Sequence, residues 1–356
     1  MDEFFASPEP QLCRSVREAC LGRGPGIVRS IAGSDRVRDF AISSARGLLS
    51  LPRRLESRFL YDSAGSALFE EITEQPEYYL TRTESAILAA SAARIREVTG
   101  PATLVELGSG SCCKSDLLLR AWLDQAPKLC YIPVDVSESA LSGACSSISS
   151  RHPEAKVIGV NCEYREAFPV LAQLSPVLVM FLGSSIGNLT PGEMSSFVAS
   201  LAASMRPGDF FLLGVDLVKE RTLLEAAYND GAGVSARFTR NLFARMNREL
   251  GCSIDVNGIE HEATYDAEKE QVEIYARFTR QQTFVVDPPG RLITIGKGEA
   301  VQTEISRKFR LDKVIADLER CFFSTEEVFT DPRRWFALLL LRRLPLYACQ
   351  SGGKGR

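Results

Sequence analysis

Between residues 101 and 229, five short apolar runs alternate with longer segments in which apolar residues have the spacing of an amphipathic helix. This alternation restricts the possible folds more than any other feature of the sequence. Strands that are apolar along their whole length are typical of a parallel sheet covered by helices on both faces. Right-handed crossovers then predict an α/β fold with a doubly wound sheet. The predicted strands are 103–107, 129–134, 156–160, 177–182 and 210–215, and the predicted helices between and after them are 114–124, 139–150, 191–205 and 217–229.

The sequence on either side of this core predicts added layers. Thr83 and Glu84 are predicted to begin a helix that runs to residue 95. Period-two alternation over 272–278 predicts an antiparallel hairpin layer over the core. The predicted division is 1–50, an N-terminal preface; 51–100, the helical part of a substrate-recognition layer; 101–234, the α/β core; 235–310, a helix and β-rich insertion that completes the pocket; and 311–356, a helix and strand that return to the core.

Composition excludes several classes of protein. The chain has 356 residues, of which 45% are apolar, and 42 basic residues against 45 acidic ones give a formal net charge of −3. This balance favours a globular protein over a disordered chain, and it argues against a nucleic-acid binder, which normally carries a basic face. No apolar run approaches the roughly 20 residues of a membrane helix. We therefore expect neither a nucleic-acid nor a membrane partner.

The ten cysteines and two histidines indicate where the protein resides and what it binds. The cysteines contain no C-x-x-C pair, and neither His152 nor His261 lies near a cysteine in the sequence. A metal site is therefore not predicted, and reduced thiols in a cytoplasmic protein are the favoured interpretation. The first residues, MDEFFASPEP, lack the basic start of a secretory signal.

The segment LVELGSGSCCK at 104–114 is a predicted strand, a glycine turn and a helix start. Glycines at 108 and 110 let a ligand approach the backbone, and a helix N-terminus offers unpaired N–H groups. The dinucleotide pattern G-x-G-x-x-G fails because Cys113 occupies its third glycine position. An S-adenosylmethionine site needs the turn and carboxylates at the ends of two strands, which Glu106 and Asp135 supply. A ligand-free structural turn is a third interpretation of the segment.

Six motifs in register over residues 50–342 resemble the histidine Nα-methyltransferase family of ergothioneine biosynthesis. They are FLYDSAGSALF (59–69), PEYYLTRTE (76–84), VELGSG (105–110), FLGSSIGNLTP (181–191), AYNDGAGV (227–234) and TEIS (303–306). The resemblance implies a class I methyltransferase core with S-adenosyl-L-methionine as cofactor. It also implies an enzyme that trimethylates the α-amino group of histidine.

The resemblance also implies which residues form the two binding sites. At the donor it implies Tyr78, Gly108, Lys114 and Asp135, with Glu163 and Tyr164 at the adenine, beside Glu106 and Gly110 of the turn. At the acceptor it implies Tyr61, Phe69, Gly183, Ser185, Asn188, Tyr228, Glu304 and Ser306. In that family the asparagine and the second tyrosine hold the carboxylate of the substrate, and the glutamate and serine hold its ring. Tyr61 and Glu304 are the candidate catalytic residues.

The sequence departs from the family pattern at four places. Leu80 replaces a common proline, the turn reads Ser111-Cys112-Cys113, and Glu163-Tyr164 replaces an Asp-Phe pair. Ile274 stands where a methionine often lies against the substrate ring, so it joins the candidate acceptor residues. The alternative acceptor is therefore tryptophan or an indole-type metabolite, methylated on nitrogen or on a ring carbon. A protein that binds the donor without catalysis, and a dehydrogenase, are two further hypotheses for the function.

Two local ambiguities concern individual residues. Asn188 precedes Pro191 and is a possible helix cap, but Thr190 is better placed for that role, which leaves Asn188 for a ligand. Alternation along the strand places Glu304 and Ser306 on one face, with Ile305 on the other. That face is either exposed or part of the pocket. The sequence alone leaves the acceptor, the number of methyl groups and the oligomeric state open.

Overall fold

The computed structural model describes residues 11–23, 26–30, 36–110, 112, 114–126, 128–287 and 289–345. Ser111 and Cys113 of the glycine turn, and the N-terminal segment MDEFFASPEP, lie outside the described residues. The strands of the described part are β1 (Ile27–Arg29), β2 (Thr103–Leu107), β3 (Leu129–Asp135), β4 (Ala155–Val157), β5 (Gly159–Asn161), β6 (Val177–Phe181), β7 (Phe210–Asp216), β8 (Ile259–Asp266), β9 (Gln271–Phe278), β10 (Gln282–Val286), β11 (Arg291–Ile295), β12 (Ala300–Arg307), β13 (Phe323–Thr330) and β14 (Phe336–Arg343). The α-helices are α1 (Gln11–Cys20), α2 (Arg36–Leu49), α3 (Ser63–Thr73), α4 (Tyr79–Thr99), α5 (Ser115–Leu123), α6 (Glu138–Arg151), α7 (Tyr164–Leu174), α8 (Pro191–Ser204), α9 (Arg221–Tyr228), α10 (Val234–Leu250) and α11 (Leu311–Glu319).

The central sheet has the strand order β1-β5-β3-β2-β6-β7-β14-β13, with β4 paired beside β3. Its strands are parallel from β1 to β7, whereas β14 and β13 run antiparallel at the other edge. The predicted α/β fold with a doubly wound sheet is therefore confirmed. In this arrangement the carboxyl ends of β2, β3 and β6 lie side by side, and ligands of open α/β sheets bind at that edge.

Neighbouring residues of each central strand face opposite sides of the sheet. Val105 and Val179 belong to a core packed with α1, α7 and α8, whereas Leu104 and Leu178 belong to a second core packed with α4 and α5. All five residues of β6 are buried. Both faces are thus covered, which explains why the strands have continuous apolar sequences.

A second layer lies over the carboxyl edge of the central sheet. Strands β8, β9 and β12 form an antiparallel sheet, and β10 pairs with β11 as a separate hairpin. The predicted antiparallel layer is confirmed. These strands share one hydrophobic core with α2, α3, α9 and α10. That shared core supports our proposal that the segments 51–100 and 235–310 together form the substrate-recognition layer.

Helix α7 and strands β11 and β13 are among the elements that the sequence patterns did not predict. Helix α7 contains Pro169, and proline argues against a helix interior. Strand β13 is rich in polar residues, and β11 is short. The predicted start of a helix at Thr83 is wrong, because α4 begins at Tyr79, one full turn earlier.

No helix in the described ranges combines the length and the apolar character that crossing a bilayer requires.

Candidate active site

The glycine turn after β2 brings the backbone close to two side chains. Gly108 has φ +75°, and a Cβ atom there lies 2.7 Å from the Tyr164 hydroxyl oxygen. The Gly110 N–H donates to Asp135 Oδ2 at 3.1 Å, and the Ser137 N–H donates to Asp135 Oδ1 at 2.8 Å. The turn is therefore fixed against the end of β3, and only glycine fits at position 108 without displacing Tyr164.

A cleft of about 780 Å³ opens above this turn and is called the donor cleft below. Five of the eight predicted donor residues line it: Gly108, Gly110, Asp135, Glu163 and Tyr164. Burial raises the pKa of Asp135, although its backbone hydrogen bonds oppose that shift. The cleft has the carboxyl group of Asp135 at the end of β3, where the sequence predicts a carboxylate of an S-adenosylmethionine site.

Glu106 lies beneath the turn, away from the lining of the donor cleft. The residue is 2% exposed, and its carboxylate accepts hydrogen bonds from the Ser115 and Tyr131 hydroxyls. Burial raises its pKa to about 7. These contacts connect β2, β3 and the start of α5, so Glu106 braces the turn in this structure, and a direct contact with a donor molecule stays a prediction.

Lys114 is paired with Glu84, which no sequence pattern assigns to either binding site. Glu84 is fully buried, and its carboxylate lies 2.6 Å from Lys114 Nζ and accepts the Gly183 N–H at 2.8 Å. Gly214 leaves room for this carboxylate, since a Cβ atom there lies 2.2 Å from Glu84 Oε1. Glu84 thereby links the donor turn to the loop after β6.

A second, smaller cavity lies between the loop after β6, helices α3 and α10, and the antiparallel sheet, and is called the acceptor cavity below. It brings together every predicted acceptor residue: Tyr61, Phe69, Gly183, Ser185, Asn188, Tyr228, Ile274, Glu304 and Ser306. Tyr78, which the resemblance placed at the donor, also lines this cavity. These residues lie up to 245 positions apart in the chain, from Tyr61 to Ser306, so the fold alone brings them together.

Aromatic rings form one wall of the acceptor cavity. The rings of Tyr61 and Phe69 meet edge to face at 5.5 Å, and Phe69 and Tyr78 do so at 6.2 Å. The Tyr78 ring in turn packs edge to face on Tyr228 at 6.1 Å. Burial raises the pKa of all three tyrosines well above its usual value. Their hydroxyls therefore keep their protons at neutral pH.

Polar groups line the opposite side and pair with one another. Asn188 Nδ2 donates to Glu304 Oε1 at 2.5 Å and to the Ile305 carbonyl oxygen at 3.2 Å. The Tyr228 hydroxyl and Ser306 Oγ lie 2.7 Å apart. Burial raises the pKa of Glu304 to about 7. Thr190 caps α8, as predicted, which leaves the Asn188 side chain to the cavity.

His261 is a cavity residue that the sequence analysis did not select. Its Nε2 lies 2.7 Å from the Tyr228 carbonyl oxygen, which can only accept, so Nε2 carries the proton. Its Nδ1 lies 2.8 Å from the Thr239 hydroxyl. Burial lowers the pKa of His261, so the ring is neutral and fixes the backbone at Tyr228. No sequence signal near His261 indicates this role.

The two cavities meet at a wall that both share. Tyr61, Phe69, Ser185 and Asn188 line the donor cleft as well as the acceptor cavity. A molecule in one cavity therefore lies next to a molecule in the other. Within the described ranges, no group of three or more His, Cys, Asp or Glu residues is arranged to hold a metal ion. The geometry suits direct transfer of a group between two bound molecules, aligned by hydroxyl, amide and carboxylate groups.

Comparison with known proteins gives the family. The family model described as "Histidine-specific methyltransferase, SAM-dependent" matches residues 40–343. The "Histidine N-alpha-methyltransferase" of Mycolicibacterium smegmatis is 39% identical over 297 residues, which cover 83% of this chain and 92% of that protein. The protein of the same name from Mycobacterium tuberculosis is 38% identical over 83% of this chain and 92% of its own length. "Ergothioneine biosynthesis protein 1" of Neurospora crassa is 31% identical, over 72% of this chain and 30% of that protein.

The matched region of the family model contains the glycine turn, the loop after β6 and the antiparallel layer, and thus both cavities. The chain therefore belongs to the family of histidine-specific, S-adenosylmethionine-dependent methyltransferases.

Proposed function

We propose that this methyltransferase acts on the α-amino group of free L-histidine and adds up to three methyl groups. The observation that carries the proposal is the shared wall of Tyr61, Phe69, Ser185 and Asn188 between the donor cleft and the acceptor cavity. This wall is where a donor and an acceptor amine can meet. The names of the M. smegmatis and M. tuberculosis relatives support histidine as the acceptor.

The donor cleft fits S-adenosylmethionine. A carboxylate lies at the end of β3, and a tight turn leaves no room for a Cβ atom at position 108. Asp135 would hold the ribose hydroxyls, Glu163 and Tyr164 the adenine, and Lys114 the carboxylate. When bound, S-adenosylmethionine supplies a methyl group on a positively charged sulfur that a neutral amine can accept. The protein therefore needs to orient the amine and to exclude competing groups.

The acceptor cavity offers separate contacts to the ring and the carboxylate of an amino acid. We assign Asn188 and Tyr228 to the carboxylate, and Glu304 and Ser306 to the imidazole ring. The pKa of Glu304 is raised to about 7, so near neutral pH its carboxylate accepts a hydrogen bond or its acid form donates one. It can thus pair with either type of imidazole nitrogen.

Tyr61 is assigned to the amine itself. Its hydroxyl stays protonated at neutral pH because burial raises its pKa, so it positions the amine by hydrogen bonding and does not act as a phenolate base. An α-amine has a pKa near 8 in model peptides, which leaves a neutral fraction at pH 7 whose proton has passed to water. Orientation of two bound reactants lowers a barrier by about 7–11 kcal/mol.

We further propose that the enzyme works in the cytoplasm on a small aromatic amino acid, with no nucleic-acid or membrane partner. The reduced state of the cysteines supports the compartment, since the eight in the described ranges are free thiols. The near-neutral formal charge of −3 supports a small-molecule substrate over a polyanion.

The test is a panel of acceptors incubated with the purified protein and S-adenosylmethionine. Histidine, tryptophan and indole are supplied separately, and mass spectrometry follows the methylated products. We expect mono-, di- and trimethylated histidine with the methyl groups on the α-nitrogen. Turnover of tryptophan or indole without turnover of histidine would assign the alternative acceptor. Binding of the donor without methyl transfer to any acceptor would indicate a binding protein.

A further inference from the structure

A buried lysine stands behind the acceptor cavity without lining it. The Lys308 side chain is fully buried, and its Nζ donates to the Tyr228 hydroxyl and to Ser306 Oγ, each at 2.8 Å. The same Nζ lies 3.0 Å from Asp216 Oδ2. Tyr228 and Ser306 both line the cavity, so Lys308 reaches the site through them.

The hydrogen-bond inventory of this cluster leaves one proton directed at the cavity. An ammonium group has three N–H donors and no acceptor. The three N–H groups of Lys308 are directed to Asp216, Tyr228 and Ser306. Both hydroxyl oxygens therefore accept from Lys308. One hydroxyl proton forms the bond of 2.7 Å between Tyr228 and Ser306. The other hydroxyl proton has no partner within the cluster and is available to a bound molecule.

The charges of the cluster also favour an anion. Asp216 is fully buried and serves two ammonium groups, Lys308 at 3.0 Å and Lys219 at 2.5 Å, so the three side chains sum formally to +1. Among the described residues that line the cavity, Glu304 is the one carboxylate, and because burial raises its pKa to about 7, it offsets this positive charge only in part near neutral pH. An unbalanced buried positive charge is costly, and an incoming carboxylate offsets it.

We infer that Lys308 is a positioning residue that selects acceptors with a free carboxylate, by holding the Tyr228 hydroxyl, with Ser306 as its partner, as a hydrogen-bond donor and by supplying the countercharge. This inference rests on the proposed function, in which the acceptor is an amino acid. It adds a residue that the sequence motifs did not select. It also explains why the Tyr228 hydroxyl is assigned to the carboxylate and not to the amine. The positive charge of Lys308 beside Tyr228 would repel the cationic methylated amine.

The experiment compares histidine with histidinamide, which retains the amine and the ring but has no carboxylate. KM, kcat and the Kd of each acceptor in the presence of S-adenosylhomocysteine are measured for the wild type and for Lys308→Met. We expect the wild type to prefer histidine. In Lys308→Met the affinity for histidine falls by about 10- to 100-fold, the range for hydrogen bonds to charged groups, while the affinity for histidinamide changes little. The loss appears in KM and not in kcat.

Lys219→Met is the matched control. Lys219 shares Asp216 and is 5% exposed, but its other contacts are the Tyr79 hydroxyl and the Leu217 carbonyl oxygen. Either single variant leaves Asp216 with one lysine and with the Tyr79 hydroxyl. We expect Lys219→Met, which lowers the charge of the cluster but keeps the ammonium group beside Tyr228 and Ser306, to lose less of the preference for histidine than Lys308→Met does. Lys308→Arg, which keeps the charge, should retain the preference.

Each outcome separates the inference from the proposed function. The role of Lys308 would be overturned if Lys308→Met lost affinity for histidine and histidinamide equally. It would also be overturned if Lys219→Met lost as much of the preference for histidine as Lys308→Met does. In either case, turnover of histidine by the wild type would still uphold the proposed function. Absence of histidine turnover by the wild type would overturn the function first. If Lys308→Met does not fold, the same comparison is made with Lys308→Gln, which keeps N–H donors but removes the charge. If Lys308→Gln prefers histidine as strongly as the wild type does, Lys308 does not supply the countercharge.

Discussion

The donor cleft and the acceptor cavity are built in different ways. The donor cleft is wide, about 780 Å³, and its floor is backbone: a glycine turn fixed to the end of one neighbouring strand. The acceptor cavity is narrow, and its walls are side chains from helices, a loop and an antiparallel sheet. Recognition of the donor therefore depends on local backbone geometry, whereas recognition of the acceptor depends on contacts between distant parts of the chain.

The largest effect is expected from Gly108→Ala, which should impair donor binding alone. In Gly108→Ala the new Cβ lies 2.7 Å from the Tyr164 hydroxyl oxygen, at a φ of +75° that alanine tolerates poorly. We expect donor affinity to fall on the order of 100-fold, because both backbone strain and displacement of Tyr164 act at the cleft. Calorimetry with S-adenosylhomocysteine measures this loss.

Gly208→Ala is the matched control for that variant. Gly208 has φ +96° but open space around its Cβ position. Its substitution should lower stability through backbone strain and leave donor affinity unchanged. Equal donor affinity in the two variants would show that the approach at Gly108 does not matter.

A smaller effect is expected on the acceptor side. Glu304→Ala removes a hydrogen-bond partner of the acceptor and one of the two partners of the Asn188 amide. Such a loss costs about 1–3 kcal/mol, which corresponds to about 5- to 150-fold in acceptor affinity. Donor affinity, measured in the same titrations, should hardly change. If both ligands lose affinity equally, Glu304 belongs to the scaffold of the two cavities.

The smallest expected effect concerns pH. The pKa of Glu304 in the folded protein, about 7, lies above its ordinary value of 4.5, so the folded state retains a proton that the unfolded chain has released. The stability contributed by this group is therefore full below about pH 4.5, falls as the pH rises to about 7, and is constant above that.

Glu304→Gln removes this titration and isolates its contribution from that of Glu106, which shifts in the same direction. The free energy of unfolding of the variant relative to the wild type should rise between pH 5 and pH 8. The rise should be on the order of 1 kcal/mol, because residual access of water through the cavity weakens the effect. Denaturant titrations at both pH values measure it, and a relative stability that does not depend on pH contradicts the shifted pKa.

Local sequence pattern alone indicated the donor turn, whereas it did not indicate the acceptor cavity, for the same structural reason. Strand β2 has the predicted bounds of 103–107, and the turn that follows it is continuous in sequence. Periodicity cannot indicate that Glu84, in the second turn of α4, accepts a hydrogen bond from the Gly183 N–H. Likewise, nothing near Lys308 in the sequence indicates Asp216, which lies 92 positions earlier.

The predicted acceptor residues came from motif resemblance and not from periodicity. Alternation along β12 left Glu304 either exposed or in the pocket, and its placement in the acceptor cavity depends on the packing of β12 beside the loop after β6. Tyr78 shows the limit of motif transfer. It was assigned to the donor, yet in this structure it lines the acceptor cavity between Phe69 and Tyr228.

The antiparallel sheet reaches only one of the two cavities. Among the described residues, none from β8, β9 or β12 lines the donor cleft, whereas Ile274 and Glu304 line the acceptor cavity. Substitutions on this sheet can therefore change which metabolite is accepted without altering the machinery that supplies the methyl group. New acceptor specificities can thus evolve by drift of a single structural layer, with Ile274 as a natural first position to vary.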